Sequence, residues 1–209
     1  MPAPGSPRYR VERQIGRGSR ADVFLAFDRI LNRRVALKQF RERPVTPDSL
    51  QREFRILSGL GHPRVVRVFD LFFPAAGLPF LTMEYLQGPS LQAQLPRPGQ
   101  DGGSRGAPPF RPGPLQDTIE VILGIAAGLR HLHSRKLIHG DLKPTNILYR
   151  FPGSAPRPDP GELCLADFGL AGAFRRTGRM EFSGTFRYAA PEMVRGQPID
   201  ARSDLFSLG

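Results

Sequence analysis

His139-Gly140-Asp141-Leu142-Lys143-Pro144-Thr145-Asn146 is the stretch on which the reading of this 209-residue chain turns. It follows a segment of helical periodicity and precedes a short apolar run, which places it in a loop between a helix and a strand. It holds a carboxylate, an ammonium and an amide close together. A carboxylate there can accept or orient a hydroxyl proton. Lys143 can neutralise charge on a phosphoryl group in transfer. The Asn146 amide oxygen, joined by a second carboxylate, can hold Mg²⁺. That second carboxylate is Asp167, in Asp167-Phe168-Gly169 directly after the apolar run 163–166. His139 reads as a packed, hydrogen-bonded support of the loop without acid–base work. Met83, Leu148 and Phe168 read as packing residues.

Toward the N-terminus, Ile15-Gly16-Arg17-Gly18-Ser19-Arg20-Ala21-Asp22-Val23 lies between two β-like runs. Glycines let a backbone approach a triphosphate and present N–H groups to it. The strand that follows, in place of a helix, excludes a dinucleotide-binding turn. Val35-Ala36-Leu37-Lys38 comes next. A lysine leaving an apolar strand needs an anionic partner, and Glu53 is the natural one, with Asp48 and Glu42 as alternatives. Lysine is scarce here: of 30 basic residues only Lys38, Lys136 and Lys143 are lysines. Two of them fall where a compact charge on phosphate is wanted.

The rest of the chain frames these residues. Residues 1–8 read as a flexible tail, and 9–40 as β structure. A helix is expected from Thr46 as cap and Pro47 at the first position, with Leu50, Phe54 and Leu57 on one face. Val65–Phe73 and Phe80–Leu86 read as strands. Residues 96–114 are too rich in Pro and Gly to bury a core and read as a disordered insertion. The spacing predicts a helix over 115–134 with Ile119, Ile122, Leu123, Ala126, Leu129 and Leu132 along one face. Strands follow at Asn146–Tyr149 and Leu163–Ala166, separated by a second Pro-rich excursion at 151–161.

Composition removes several classes. No run approaches the roughly 18 apolar residues of a membrane span, and the start MPAPGSPRYR lacks a signal-peptide core. The single cysteine, Cys164, excludes an internal disulfide and a cysteine-based zinc site, and fits a cytoplasmic protein. The net charge of +11 invites a nucleic-acid reading, but the basic residues are scattered, and no nucleic-acid partner is expected.

The ordered set of glycine loop, Val-Ala-Leu-Lys, helix glutamate, Met83-Glu84-Tyr85-Leu86, His-Gly-Asp-Leu-Lys-Pro-Thr-Asn, Asp-Phe-Gly and Ala190-Pro191-Glu192 resembles the eukaryotic-type (Hanks-type) protein kinases over residues 9–209. The resemblance implies an α+β, bilobal protein kinase-like fold. Its N-lobe (9–83) would be β-rich with one helix, its hinge would span 84–88, and its mainly α C-lobe (89–209) would be incomplete. It implies ATP and Mg²⁺ (or Mn²⁺) as cofactors. Lys38 would hold the α- and β-phosphates and pair with Glu53. Asp141 would be the base, aided by Lys143, and Asn146 and Asp167 the metal ligands. Ile15, Gly16 and Gly18 would cover the nucleotide. Glu84 and Leu86 would hydrogen-bond adenine through their backbone, with Val23, Ala36 and Leu148 about the ring. Met83 would be the gatekeeper of the pocket behind it. Lys143 and Gly184-Thr185 resemble the serine/threonine branch, and the overall style is similar to kinases of bacterial signalling proteins, so protein substrates with Ser or Thr are the expected partners.

There are departures from the family pattern. Ala21 stands at the third glycine position and should stiffen the loop. Gly140 replaces the arginine that usually meets an activation-loop phosphate, so dependence on loop phosphorylation through that contact is not expected; Thr177, Ser183 and Thr185 are the only Ser or Thr between Asp167 and Glu192. Ser203–Gly209 resembles the start of the helix that anchors the catalytic lobe. The expectation is therefore a fragment of a longer product with further domains, or a truncated kinase of compromised stability, with Leu205 and Leu208 lacking partners. Two other functions fit the same residues: an aminoglycoside- or choline-type phosphotransferase, whose family also favours His-Gly-Asp, and an ATP-binding scaffold impaired by truncation.

Overall fold

The computed structural model describes residues 8–18, 21–43, 46–75, 77–95, 115–151, 159–168 and 186–209. Three antiparallel strands, β1 (Tyr9–Arg17), β2 (Ala21–Asp28) and β3 (Arg33–Phe40), open the chain. β4 (Val68–Phe72) and β5 (Phe80–Glu84) complete a five-stranded sheet of order β1-β2-β3-β5-β4. The β2–β3 register sets Val23 opposite Lys38, and β3–β5 sets Ala36 opposite Met83. Arg8, at the end of the expected tail, is tied to the buried Asp28 by paired hydrogen bonds of 2.8–3.1 Å.

Helix α1 (Pro47–Ser58) forms where the capping signals place it. Thr46 Oγ1 accepts from Ser49 N–H at 3.2 Å, Pro47 occupies the first turn, and Leu50 and Leu57 are buried. The strand expected from Val65 begins only at Val68. Residues 64–66 instead bond across to the other lobe: Val66 N–H donates to Leu165 O at 2.9 Å, and Leu165 N–H to Arg64 O at 2.8 Å. Those donors and acceptors are used up before β4 can claim them.

After the hinge comes the short helix α2 (Leu91–Gln94); the expected insertion at 96–114 lies outside the described residues. Helix α3 (Leu115–Ser134) has the expected bounds, and the expected face is buried only in its second half. Leu129 and Leu132 are buried as expected, joined by Gly124, Ile125 and Gly128, whereas Ile119, Ile122 and Leu123 are exposed. The closest approach is at Gly128. A Cβ at Gly128 would stand 2.8 Å from Leu165 Cδ1 and 3.1 Å from Arg64 O, so only glycine lets the helix backbone come down onto the strand beneath it. Periodicity of large residues could not see that approach.

That strand is β7 (Leu163–Leu165), paired with β6 (Ile147–Tyr149). On β7 the thiol of Cys164 is fully buried and donates to Pro63 O at 3.2 Å. Of the excursion at 151–161, residues 152–158 lie outside the described residues, as do 169–185 of the loop after Asp167. The chain continues through α4 (Pro191–Val194) to α5 (Ala201–Leu208). Leu205 is exposed as expected, but Leu208 packs against the main core cluster, because Ser207 Oγ fastens α5 to Tyr188 O at 2.6 Å. The result is a sheet-rich lobe with one long helix joined to a helical lobe, the bilobal arrangement expected. No helix among the described residues is long and apolar enough to cross a membrane.

Candidate active site

The loop 139–146 brings its three chemical side chains together. Asp141 Oδ2 accepts from Lys143 Nζ at 2.7 Å and from Asn146 Nδ2 at 3.0 Å; Asn146 Nδ2 also donates to Asp141 O at 2.8 Å. Pro144–Asn146 is a single 3₁₀ turn, and this tightness is what lets an amide reach back to the carboxylate five positions earlier. Asn146 therefore points its Nδ2 at Asp141 and keeps its Oδ1 as an acceptor.

His139 is 3% exposed, with Nδ1 accepting from Asp141 N–H at 3.3 Å and its ring tilted against Phe168 at 5.9 Å. Burial holds its pKa below the ordinary histidine value, outweighing the pull of Asp204, Asp141 and Asp167. It is thus a neutral support for the loop.

The sequence reading overlooked the residue that fixes this loop. Asp204, 1% exposed on α5, accepts from His139 N–H (2.8 Å) and Gly140 N–H (2.9 Å), and His133 Nε2 of α3 lies 2.7 Å from its Oδ2. Gly140 adopts φ +71°, which turns its N–H toward the carboxylate and which side-chain-bearing residues rarely adopt. An acidic residue inside the otherwise apolar Leu205-Phe206 end of the chain was the available signal. Its partners are more than sixty positions away, so the sequence could not name them.

Lys38 meets Asp167: its Nζ donates to Asp167 Oδ1 at 2.9 Å. Glu53 stays half-buried on α1. Asp167 is in the left-handed region at φ +62°, which an aspartate tolerates, and this backbone turn brings its carboxylate to the lysine. Burial is the largest influence on that carboxyl and would raise its pKa, but the Lys38 ammonium, which also hydrogen-bonds to it, and Lys143 hold it below the usual carboxylate value. With 36% of the side chain accessible, it stays ionised and available to solvent.

The residues read as nucleotide-binding come from both lobes. Val23 and Leu148, from opposite lobes, pack against the buried cluster that contains Ala36, Met83 and Leu86. Behind Met83 lies a cavity of about 10 Å³, lined by Lys38, Leu57, Val66, Leu81, Asp167 and Phe168 among others; it holds at most one water. Gly18 N–H closes a turn on Ala21 O at 2.8 Å. Ala21 is buried opposite Phe40, so its methyl joins the sheet core and stiffens the base of the loop. Ile15 is exposed. Gln87 and Gly88 N–H bond to Arg150 O and Tyr149 O at 3.0 Å each, which lays the end of the hinge onto β6.

The family model of the protein kinase domain matches residues 9–209. The chain belongs to the protein kinase family. Its relatives include the DNA damage-responsive serine/threonine-protein kinase RqkA of Deinococcus radiodurans, 36% identical over 97% of this chain and 28% of that protein. PknB of Mycobacterium tuberculosis is 32% identical over 98% of this chain and 31% of its own length. PrkC of Bacillus subtilis is 30% identical over 98% and 29%. All three are named serine/threonine-protein kinases, which agrees with the bacterial serine/threonine resemblance. The chain spans under a third of the length of each.

A kinase domain uses ATP and a divalent cation, and the oxygen donors here suit one. Asp167 offers a carboxylate and Asn146 an amide oxygen, both hard ligands. Among the described residues no cluster of three or more His, Cys, Asp or Glu gathers elsewhere. Beyond the catalytic loop, Glu192 of the Ala-Pro-Glu motif accepts a very short hydrogen bond from Ser203 Oγ, and that bond lowers the carboxyl's pKa.

Proposed function

We propose that this kinase domain transfers the γ-phosphate of ATP to serine or threonine hydroxyls of proteins. The hydrogen-bonded group of Asp141, Lys143 and Asn146, facing the Lys38–Asp167 pair, carries the reading. Asp141 Oδ2 is occupied by Lys143 and Asn146, and its Oδ1 accepts no hydrogen bond among the described residues. That oxygen would receive the proton of the acceptor hydroxyl. Lys143, already beside the carboxylate, would offset charge on the phosphoryl oxygens. Lys38 would hold the α- and β-phosphates, passing from Asp167 to the nucleotide while Glu53 takes up the pairing role on α1.

Asn146 Oδ1 and Asp167 would hold Mg²⁺, which supplies charge neutralisation at the phosphates. Glu84 and Leu86 at the hinge would fix adenine between Val23, Ala36 and Leu148, under Ile15, Gly16 and Gly18. The relatives' names favour a protein acceptor over an aminoglycoside or choline. The size of those relatives supports a longer signalling polypeptide that includes this domain, and its proposed location is cytoplasmic.

Phosphate transfer from Mg²⁺-ATP to a generic protein substrate, compared with Asp141→Asn, tests the reading. A loss of about a hundredfold or more with an unchanged unfolding midpoint is expected. Equal rates in the two proteins would leave an ATP-binding scaffold.

A further inference from the structure

A second concavity lies on the far side of the hinge. It measures about 780 Å³, and its lining combines four arginines, the carboxylates of Glu84 and Glu162, and the rings of Phe69, Tyr85 and Phe151. That is within the size range of occupied binding clefts, roughly 300–1,000 Å³. None of Lys38, Asp141, Lys143, Asn146 or Asp167 contributes to its wall, so phosphate transfer gives it no role.

Its charges are unevenly satisfied. Arg150 is spent on Glu84, Glu162 and the Pro63 carbonyl, and Arg34 on Glu12 at 3.0 Å. Arg33 and Arg67 are exposed, and neither has a carboxylate partner among the described residues. Arg33 is nonetheless held in place: its guanidinium lies 3.9 Å from the centroid of Phe69. A guanidinium stacked by its face keeps its N–H edge for a planar anion. Arg67 is fixed at the backbone, where its carbonyl accepts from Glu84 N–H at 2.8 Å. Phe151, half exposed, forms the opposite wall from the other lobe.

We infer that this rear groove docks an extended acidic segment of a protein, with carboxylates on Arg33 and Arg67 and apolar side chains against Phe69, Tyr85 and Phe151. Two arginines beside aromatic rings, with no carboxylate partner among the described residues, match alternating acidic and apolar side chains. Glu84 and Glu162 in the same wall oppose a continuous polyanion, which argues against a nucleic-acid strand. His62, the remaining titratable group in the wall, is held below its ordinary pKa by burial and adds no charge near neutral pH. The binding itself does not depend on catalysis.

The probe is a fluorescein-labelled peptide of about ten residues alternating glutamate and leucine, long enough at ~3.3 Å per residue to cross the groove. Its anisotropy is followed with the chain, with Arg33→Glu/Arg67→Glu, and beside a lysine-for-glutamate peptide and an oligothymidylate of similar length. The expected result is saturable binding of the acidic peptide alone, weakened about tenfold or more by the double variant, consistent with loss of charge-assisted bonds. Phosphate transfer to a generic substrate and the unfolding midpoint should be unchanged. Equal binding to the double variant would overturn the proposal. So would preference for the oligothymidylate, or peptide-independent self-association that the double variant abolishes.

Discussion

The catalytic loop and the glycine loop are held in opposite ways. Around 139–146 the ties are buried: Asp204 grips two backbone N–H groups, and His139 supports Asp141 from beneath. Around 15–18 they are exposed: Gln14 Nε2 donates to Gly16 O at 3.2 Å and to Asp22 Oδ1 at 3.0 Å, and one turn bond runs from Gly18 to Ala21. Buried hydrogen bonds cannot be replaced by water when they break, so they fix geometry. Exposed ones exchange at little cost. The difference matches the tasks: proton transfer needs atoms held to fractions of an ångström, whereas a loop covering a nucleotide must admit and release it.

The comparison breaks most visibly at Asp204. In Asp204→Ala, His139 N–H, Gly140 N–H and His133 lose their acceptor inside the protein. At ~1–3 kcal/mol for each stranded donor, the expected destabilisation is several kcal/mol. Urea unfolding checks it, and a loss under about 1 kcal/mol would remove Asp204 as the anchor.

A smaller effect should come from pH. Burial lowers the pKa of His62, His131 and His139. The folded state therefore binds fewer protons than the unfolded one, whose imidazoles titrate near 6.5. Their contribution is complete above that value and is lost as pH falls from it toward the folded pKa values. A progressive loss of stability is expected between pH 7 and 5, read as a falling urea midpoint. His62 and His131 stack at 4.7 Å, and His131→Phe should flatten the slope in parallel denaturant titrations.

The smallest change belongs to the exposed loop. Ala21→Gly restores the glycine usual in the family and removes one buried methyl, costing about 1 kcal/mol. The KM for ATP should move by less than about threefold, since Ala21 anchors the sheet end of the loop; a larger shift would make the loop's stiffness a determinant of nucleotide binding.

What was legible in the sequence was whatever short-range chemistry encodes. The Thr46–Pro47 cap, the bounds of α3 and the convergence of Asp141, Lys143 and Asn146 all depend on neighbours a few positions apart. What was not legible depends on distant contacts. Gly128 sets how closely α3 approaches β7 only because Leu165 and Arg64 lie against it. Lys38 reaches Asp167 because of a left-handed aspartate 129 positions away. Residues 64–66 leave the sheet because β7 offers them partners from the other lobe.

The lone cysteine gives that last contact an experimental handle. Cys164 is the only thiol in the chain, is sealed from solvent, has its pKa raised by burial, and hydrogen-bonds across to Pro63 just before the cross-lobe pair. An alkylating reagent can reach it only when β7 parts from residues 63–66. Its labelling rate is therefore a built-in clock for separation of the two lobes at the rear, readable by mass spectrometry without introducing any probe.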